Sequence, residues 1–338
     1  MIKHQKFFIT GGAGFIGSNL AMRLLKSGNY VTIFDNLSRK GSEENLKWLK
    51  SENNGTLNVI INDIRNKKAL EESIPHHNII YHTAAQVSAD TSIQNPVDDF
   101  EININGTLNI LEVIRKSPKN KILIHISTNK VYRPVEKDKI IERKLRYSLK
   151  NISGLNENEY LEFFSPYGCS KGAADQYVND YHRVFNLNTV VLRQSAIYGP
   201  RQFGKEEQGW IAHIYKQALS DKLVKIFGNG KQVRDILFID DLIDAYFKVV
   251  ENIKITNGQS YNIGGGLKNS LSILEFINFL EKRLNKKIKK KFVDWRPADQ
   301  RIFISNCLKA KKDFNWEPKI NYQTGLIFLE NWLKEIKM

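Results

Sequence analysis

Short, wholly apolar runs alternate with segments of helical spacing through the first two hundred residues. Lys6–Thr10 is apolar until the glycine cluster Gly11–Gly17 interrupts it. Leu20, Ala21, Leu24 and Leu25 then recur at helical spacing, and a second apolar run, Tyr30–Phe34, ends at Asp35. Strand, glycine turn, helix, strand is one βαβ unit, which requires parallel pairing. Further strand-like runs at Leu57–Ile61, Ile79–His82, Ile122–Ser127 and Thr189–Arg193 have helical patterns between them. The pattern predicts an α/β fold with a doubly wound parallel sheet. Beyond about residue 195, Gly199-Pro200, Gly228-Asn229-Gly230 and Gly264-Gly265-Gly266 punctuate shorter elements, with amphipathic helices expected at Leu271–Leu284 and Leu326–Ile336. This half reads as a smaller α/β domain capping the sheet's carboxyl edge. The charged, weakly periodic stretch Arg133–Glu162 reads as an insertion near the site.

Composition narrows the class. A chain of 338 residues, 41% hydrophobic and 26% charged, can bury a sizeable core, which excludes disordered and collagen-like readings. No apolar run approaches the roughly 18 residues of a membrane helix. Phe7-Phe8-Ile9 is too short for a signal-peptide core, and two cysteines, Cys169 and Cys307, cannot build a disulfide framework, so a cytoplasmic protein is expected. Lys and Arg exceed Asp and Glu by 51 to 36, a net charge of +15, but the excess is dispersed. Its one dense run, Lys286–Lys291, reads as a solvated helix end leading into a strand. Neither nucleic acid nor membrane is expected as a partner. The seven histidines show no ligand spacing, and no metal is expected.

Gly11–Gly17 satisfies two glycine templates, Gly12-x-Gly14-x-x-Gly17 and Gly11-x-x-Gly14-x-x-Gly17. Glycine permits positive φ and lets the backbone approach a pyrophosphate, and the helix opening near Phe15 presents free N–H groups to it. Alone the motif also describes a plain turn. Its place between strand and helix, with Asp35 18 residues beyond Gly17, points to a dinucleotide on a Rossmann sheet. A carboxylate at Asp35 accepts from a ribose diol and repels a 2′-phosphate, favouring NAD over NADP. Tyr167 and Lys171 are four apart, on one helix face. Moving a phenol's pKa by three units towards neutrality takes about 4 kcal/mol, which a nearby ammonium and the nicotinamide charge can supply. The pair is equally a common surface arrangement. Ser127-Thr128, ending an apolar strand at the sheet's carboxyl edge, supplies a hydroxyl where ligands bind such sheets.

Taken together, the runs Thr10–Ser18, Asp35–Ser38, Asp63–Arg65, His82–Gln86, Asn103–Asn109, Ser127–Tyr132, Tyr167–Lys171 and Arg234–Asp241 resemble the extended short-chain dehydrogenase/reductases, specifically the NAD-dependent epimerase/dehydratase family acting on nucleotide sugars. The resemblance implies a catalytic triad of Thr128, Tyr167 and Lys171. It places NAD on Gly11, Gly14, Phe15, Ile16, Gly17, Asp35, Asn36 and Ser38, with Asp63 and Ile64 at the adenine. Ala84, Ala85 and Gln86 would line the cofactor, with Asn103 near the nicotinamide and Tyr167 and Lys171 also in contact with it. A nucleotide-diphosphate sugar would be held by Gln86, Thr128, Gln194, Arg201, Gln208, Arg234 and Arg296. Residues 1–194 with 235–264 would bind NAD, and 195–234 with 265–338 the nucleotide sugar. A homodimer or tetramer is implied, buried through Leu108–Ile114 and the helix from Tyr167 to Val178.

Dehydratases of the family place Asp-Glu after the catalytic threonine; Asn129 and Lys130 stand here, which disfavours elimination of water. Ser127–Tyr132, Phe164–Tyr177, Arg201–Phe203, Gln208–Trp210, Gly228–Asp235 and Asp299–Arg301 are similar instead to a branch that epimerises a CDP-activated deoxyhexose at C2 through a keto intermediate. Epimerisation of a UDP-hexose at C4 by the same triad is the alternative. A cofactor-exchanging dehydrogenase and a non-catalytic dinucleotide sensor are further readings; the intact triad argues against the latter. Two positions depart from the family pattern: Arg133 and Pro200 replace glycines, and Arg133 is expected to sit near the sugar pocket.

Overall fold

A computed structural model of the chain describes residues 4–52, 56–117, 120–150 and 153–336. Seven strands form the central sheet: β1 (Lys6–Thr10), β2 (Tyr30–Asp35), β3 (Leu57–Ile61), β4 (Ile79–His82), β5 (Ile122–Thr128), β6 (Asn188–Gln194) and β7 (Gln259–Ile263). Their spatial order is β7-β6-β5-β4-β1-β2-β3, and every pairing is parallel. The first six lie where the apolar runs predicted them, to within one residue at each end.

Those runs are continuous because both faces of the sheet are covered. Along β1, Phe7 and Ile9 pack into one apolar layer with Leu20 and Leu24, whereas Phe8 packs into the other with Ile110 and Ile114. The strand order reverses direction between β1 and β4. That switch point opens a crevice at the carboxyl ends, the expected place for a ligand.

Five helices position the site. They are α1 (Phe15–Lys26), α2 (Ala89–Gln94), α3 (Pro96–Phe100), α4 (Gly106–Lys116) and α5 (Pro166–Phe185), with a single π-helical turn, Glu101–Asn105, between α3 and α4. Above the crevice lie smaller sheets. Val233–Phe238 pairs with Ala196–Tyr198, Ser270–Ser272 and Ile302–Phe303, while Val224–Phe227 pairs in parallel with Lys290–Val293. The helix expected from Leu271 begins at Ile273, because Ser272 caps it through a reciprocal box with Glu275. The last helix starts early, at Tyr322, with Asn321 accepting from the Thr324 N–H at 2.9 Å.

The stretch 133–162 contains the antiparallel pair Ile140–Glu142 with Tyr147–Leu149; its residues 151 and 152 lie outside the described residues. Among the described residues, no helix is long and apolar enough to cross a membrane.

Candidate active site

Beyond β1 the chain turns through Gly11 at φ +68°, where an added Cβ would lie 2.7 Å from the Ala84 nitrogen. A Cβ on Gly17 would meet the Gly11 carbonyl oxygen at 2.2 Å, so the turn closes only without side chains. The N-cap of α1 is Gly14, which supplies no side-chain acceptor. The first N–H groups of the helix therefore face the crevice ready for an anion.

A cavity of about 300 Å³ lies over this turn, and Gly11, Gly14, Phe15, Ile16, Gly17, Asp35, Asn36, Ser38, Asp63, Ile64, Ala84, Ala85 and Gln86 all line it. Asp35 accepts from the Leu37 N–H at 2.8 Å and the Ala13 N–H at 3.0 Å; burial raises its carboxyl pKa against the pull of these donors. Asp63 is held down at about 2, chiefly by its hydrogen bond with the Arg65 guanidinium, and also accepts from Asn36 at 2.8 Å. Two carboxylates beside a glycine turn and a helix N-terminus fit the diol and pyrophosphate of NAD and disfavour an added 2′-phosphate.

The segment 200–208 closes over this cavity from the far side. Asn19 donates to the Pro200 carbonyl at 3.1 Å, Asn45 to the Arg201 carbonyl at 3.3 Å, and Arg39 to Gln208 Oε1 at 2.9 Å. The Arg201 guanidinium lies 4.1 Å from the centre of the Trp48 ring. Gln86 and Arg201, both expected on the sugar, thus sit at the dinucleotide cavity, and Gln208 lies between it and the next one.

Asn103 lines none of these cavities. The π turn points it inward, where its amide donates to Ser170 Oγ at 2.9 Å and the Gln86 carbonyl at 3.1 Å, and accepts from the Gln86 N–H at 2.9 Å. It ties the cofactor loop to α5 in place of touching the cofactor cavity.

The second cavity, about 210 Å³, is lined by Thr128, Tyr167, Lys171 and Gln194 and shares Phe15, Ile16, Ala85 and Gln208 with the first. Thr128 ends β5 and caps the 3₁₀ turn Asn129–Val131, its hydroxyl oxygen accepting from the Lys130 N–H at 3.3 Å. Ser165 caps α5 on the Gly168 N–H at 3.2 Å, and the Tyr167 N–H donates to Ser92 Oγ at 3.0 Å. Tyr167 and Lys171 project one turn apart from this pinned helix start.

Burial pushes the Tyr167 phenol up to about 12, opposed only by a hydrogen bond with Thr128, and pushes Lys171 down to about 8. The expectation that Lys171 lowers the phenol is not met in the chain alone. The Lys171 ammonium donates instead to the Ile126 carbonyl at 2.6 Å, and desolvation dominates.

Beneath α5, Asp175 is buried at 0% exposure. Its carboxylate accepts two bonds from the Arg193 guanidinium, both at 2.9 Å, and one from Ser127 at 2.8 Å. This network holds α5 against β5 and β6.

The third cavity, about 230 Å³, shares Tyr167 and Trp210 with the second and carries Lys130, Phe227, Arg234, Arg296 and Asp299. Arg234 donates to Asp299 at 2.8 Å; its sequence neighbour Asp235 does not absorb it, being buried against Ser195 and the Gly266 N–H. Arg296 lies 3.8 Å over the Phe227 ring and donates to the Glu206 carbonyl at 2.6 Å. Its Nε, 3.3 Å from Asp90, makes no hydrogen bond. Gln194, Gln202 and Gln232 each leave a buried side-chain oxygen without a partner while lining these cavities, acceptors free for a ligand.

Arg133 is turned away from all three cavities. Tyr132 pairs in extended conformation with Leu161 and points inward to Asn262 at 2.8 Å, so the next side chain faces out, where Arg133 pairs with Glu162 at 2.9 Å. Sequence reasoning missed Arg39, Asp90 and Gln202, and saw Lys130 only as a missing acid. Of these, Lys130 carried a signal, its place two residues after Thr128.

The chain matches, over residues 8–327, the family model described as GDP-mannose 4,6 dehydratase. It is 43% identical over 340 residues to CDP-paratose 2-epimerase of Salmonella typhi, covering 98% of this chain and 100% of that one. It is 32% identical to UDP-glucuronate 4-epimerase of Thermodesulfobacterium geofontis, covering 97% and 96% of the two chains. Among solved structures, UDP-glucuronic acid 4-epimerase from Bacillus cereus, in complex with UDP-glucuronic acid and NAD, matches with a TM-score of 0.86 at 30% identity, covering 98% and 99%. With a glycine turn and paired acids built for NAD, and Thr128, Tyr167 and Lys171 lining one cavity beside it, the chain belongs to the NAD-dependent nucleotide-sugar epimerase/dehydratase family of the short-chain dehydrogenases/reductases.

Proposed function

We propose that this enzyme inverts C2 of CDP-paratose to give CDP-tyvelose. The observation that carries the reading is the pair of positions after Thr128. Asn129 is tied away to Gln300 at 3.2 Å and the Lys130 ammonium donates to the Ala298 carbonyl at 3.2 Å, so the carboxyl pair that the family's dehydratases place here for elimination is absent from these two positions. Oxidation and return to the opposite face remain, and the relative of 43% identity is named for that reaction at C2.

Bound NAD supplies the reversible hydride acceptor. Tyr167, as phenolate, takes the hydroxyl proton onto its oxygen and later returns it. Thr128 donates to the substrate oxygen as it gains carbonyl character. The charge that favours the phenolate would come from the nicotinamide of bound NAD, with Lys171 one turn along α5 and donating to the Ile126 carbonyl in the chain alone. Arg234 and Arg296 grip the diphosphate, so the flat keto sugar turns in the pocket without leaving.

Proton NMR of the purified protein, with no cofactor added, against CDP-paratose, GDP-mannose, UDP-glucose and UDP-galactose tests the reading. Inversion of CDP-paratose at C2 is expected. Turnover of a UDP-hexose alone would replace it with C4 epimerisation.

The enzyme acts as a homo-oligomer in this reading. Ile110, Leu111, Val113 and Ile114 of α4 are consumed by the protomer's own core, but Ile93, Val97, Phe100 and Tyr177 stand exposed on α2, α3 and α5, which pack together. Light scattering is expected to give at least twice the 39.1 kDa of one chain; a monomer would refute it. The exposed free thiol of Cys169 suits a reducing compartment such as the cytoplasm.

A further inference from the structure

We infer that Lys130 holds the phosphate on the anomeric carbon beside Tyr167 and thereby selects C2 as the carbon oxidised. The inference rests on the nucleotide-sugar reading above and adds a residue that neither the glycine motif nor the triad contains.

Lys130 is placed by the turn that places Thr128. Its N–H is bonded to the Thr128 hydroxyl, and its ammonium donates to the Ala298 carbonyl at 3.2 Å. The side chain is 21% exposed and lines the same cavity as Tyr167, Arg234 and Arg296. The nearest carboxylate, Asp299, is 3.8 Å away and is already engaged by Arg234 at 2.8 Å. One anion therefore serves two cations at this end of the cavity, while Asp90 lies beside Arg296 and Glu206 beside Lys225, so among the described residues Lys130 has no carboxylate of its own within 4 Å besides the shared Asp299. Desolvation accordingly pushes the Lys130 ammonium down to about 8, with Arg234 and Arg296 pushing the same way and Asp299 and Asp90 opposing. A partly buried ammonium of this kind gains most from an anionic ligand.

The position of that charge along the cavity decides the regiochemistry. In a nucleotide sugar C2 adjoins the carbon bearing the phosphate, whereas C4 lies across the ring. A diphosphate held only by Arg234 and Arg296 leaves the ring free to present either carbon to the phenol. A third cation on the turn that carries Thr128 draws the phosphate up to the triad, and the carbon next to it is then the one that meets Tyr167.

The probe is CDP-paratose, whose sugar carries free hydroxyls at both C2 and C4, with products resolved by proton NMR. Lys130→Met is expected to lower kcat/KM for inversion at C2 by about 10- to 100-fold, mostly through KM, as for loss of one charge-assisted hydrogen bond. Inversion at C4 should become detectable at the same time. Lys130→Arg should keep turnover at C2. Bound NAD, read by absorbance after denaturation, reports that each variant is folded. Inversion confined to C2 in Lys130→Met overturns the assignment, whatever its KM. A wild-type enzyme that inverts only UDP-hexoses at C4 overturns it together with the reading beneath it. That case is recognised before any variant is made.

Discussion

Tyr167→Phe is expected to lower kcat by about 10²–10⁴-fold, the usual contribution of a positioned acid–base group. Among the described residues, Tyr167 is the one acid–base residue that lines both the second and the third cavity. Lys171 is turned to the Ile126 carbonyl, and the Thr128 hydroxyl is a far weaker base. Because the ring remains, its packing and the start of α5 are preserved, so KM and retained NAD should change little. Raising the pH should not restore the rate, since the group that would ionise is gone. Steady-state rates of C2 inversion with matched NAD content check this, and turnover within tenfold of wild type would remove Tyr167 from the chemistry.

The second large effect concerns stability. Asp175→Ala leaves the Arg193 guanidinium, 5% exposed, without its carboxylate in the core between α5 and the sheet. Removing one partner of a buried pair typically costs about 3–5 kcal/mol, against a usual domain stability of about 5–15 kcal/mol. Ser127 loses its acceptor in the same step, next to Thr128 on β5. By contrast, Asp180→Ala breaks a pair with Arg183 whose side chains are 52% and 65% exposed, and should cost within about 1 kcal/mol. Urea denaturation of the two variants separates the cases. Equal midpoints would mean that the buried network does not hold α5.

How much of this was legible beforehand follows from where each signal resides. β1 to β6 were visible because a strand covered on both faces must be apolar at every position, so the run itself marks the element. β7, Gln-Ser-Tyr-Asn-Ile, has no such run and joins the sheet only through its register with β6, a fact of tertiary pairing. The glycine turn, Asp35 and the Tyr167–Lys171 pair were readable because their chemistry depends on short, fixed spacings.

The cation cavity was readable only in part: the resemblance named Arg234 and Arg296, and the rest of its lining was not visible. Asp90, Lys130, Arg234, Arg296 and Asp299 come from segments far apart in the chain, and only packing brings them together. Arg133 was misplaced for a local reason, since a single extended residue decides which way the next one faces. Asn103, placed near the nicotinamide by the resemblance alone, sits in a π turn where it bonds Ser170 and Gln86, partners that sequence spacing does not reveal.

The hydrogen bonds that fasten the segment 200–208 across the dinucleotide cavity have a consequence for the cell. In the proposed reading, substrate would reach Tyr167 through the cavity of Lys130 and Arg234, whereas a dinucleotide in the first cavity would be covered by the segment that Arg39 holds through Gln208 and that Asn19 and Asn45 hold through its backbone. Product would exchange while that bridge stays shut. Flux through the enzyme would then follow the supply of sugar nucleotide and remain insulated from the ratio of oxidised to reduced nicotinamide around it.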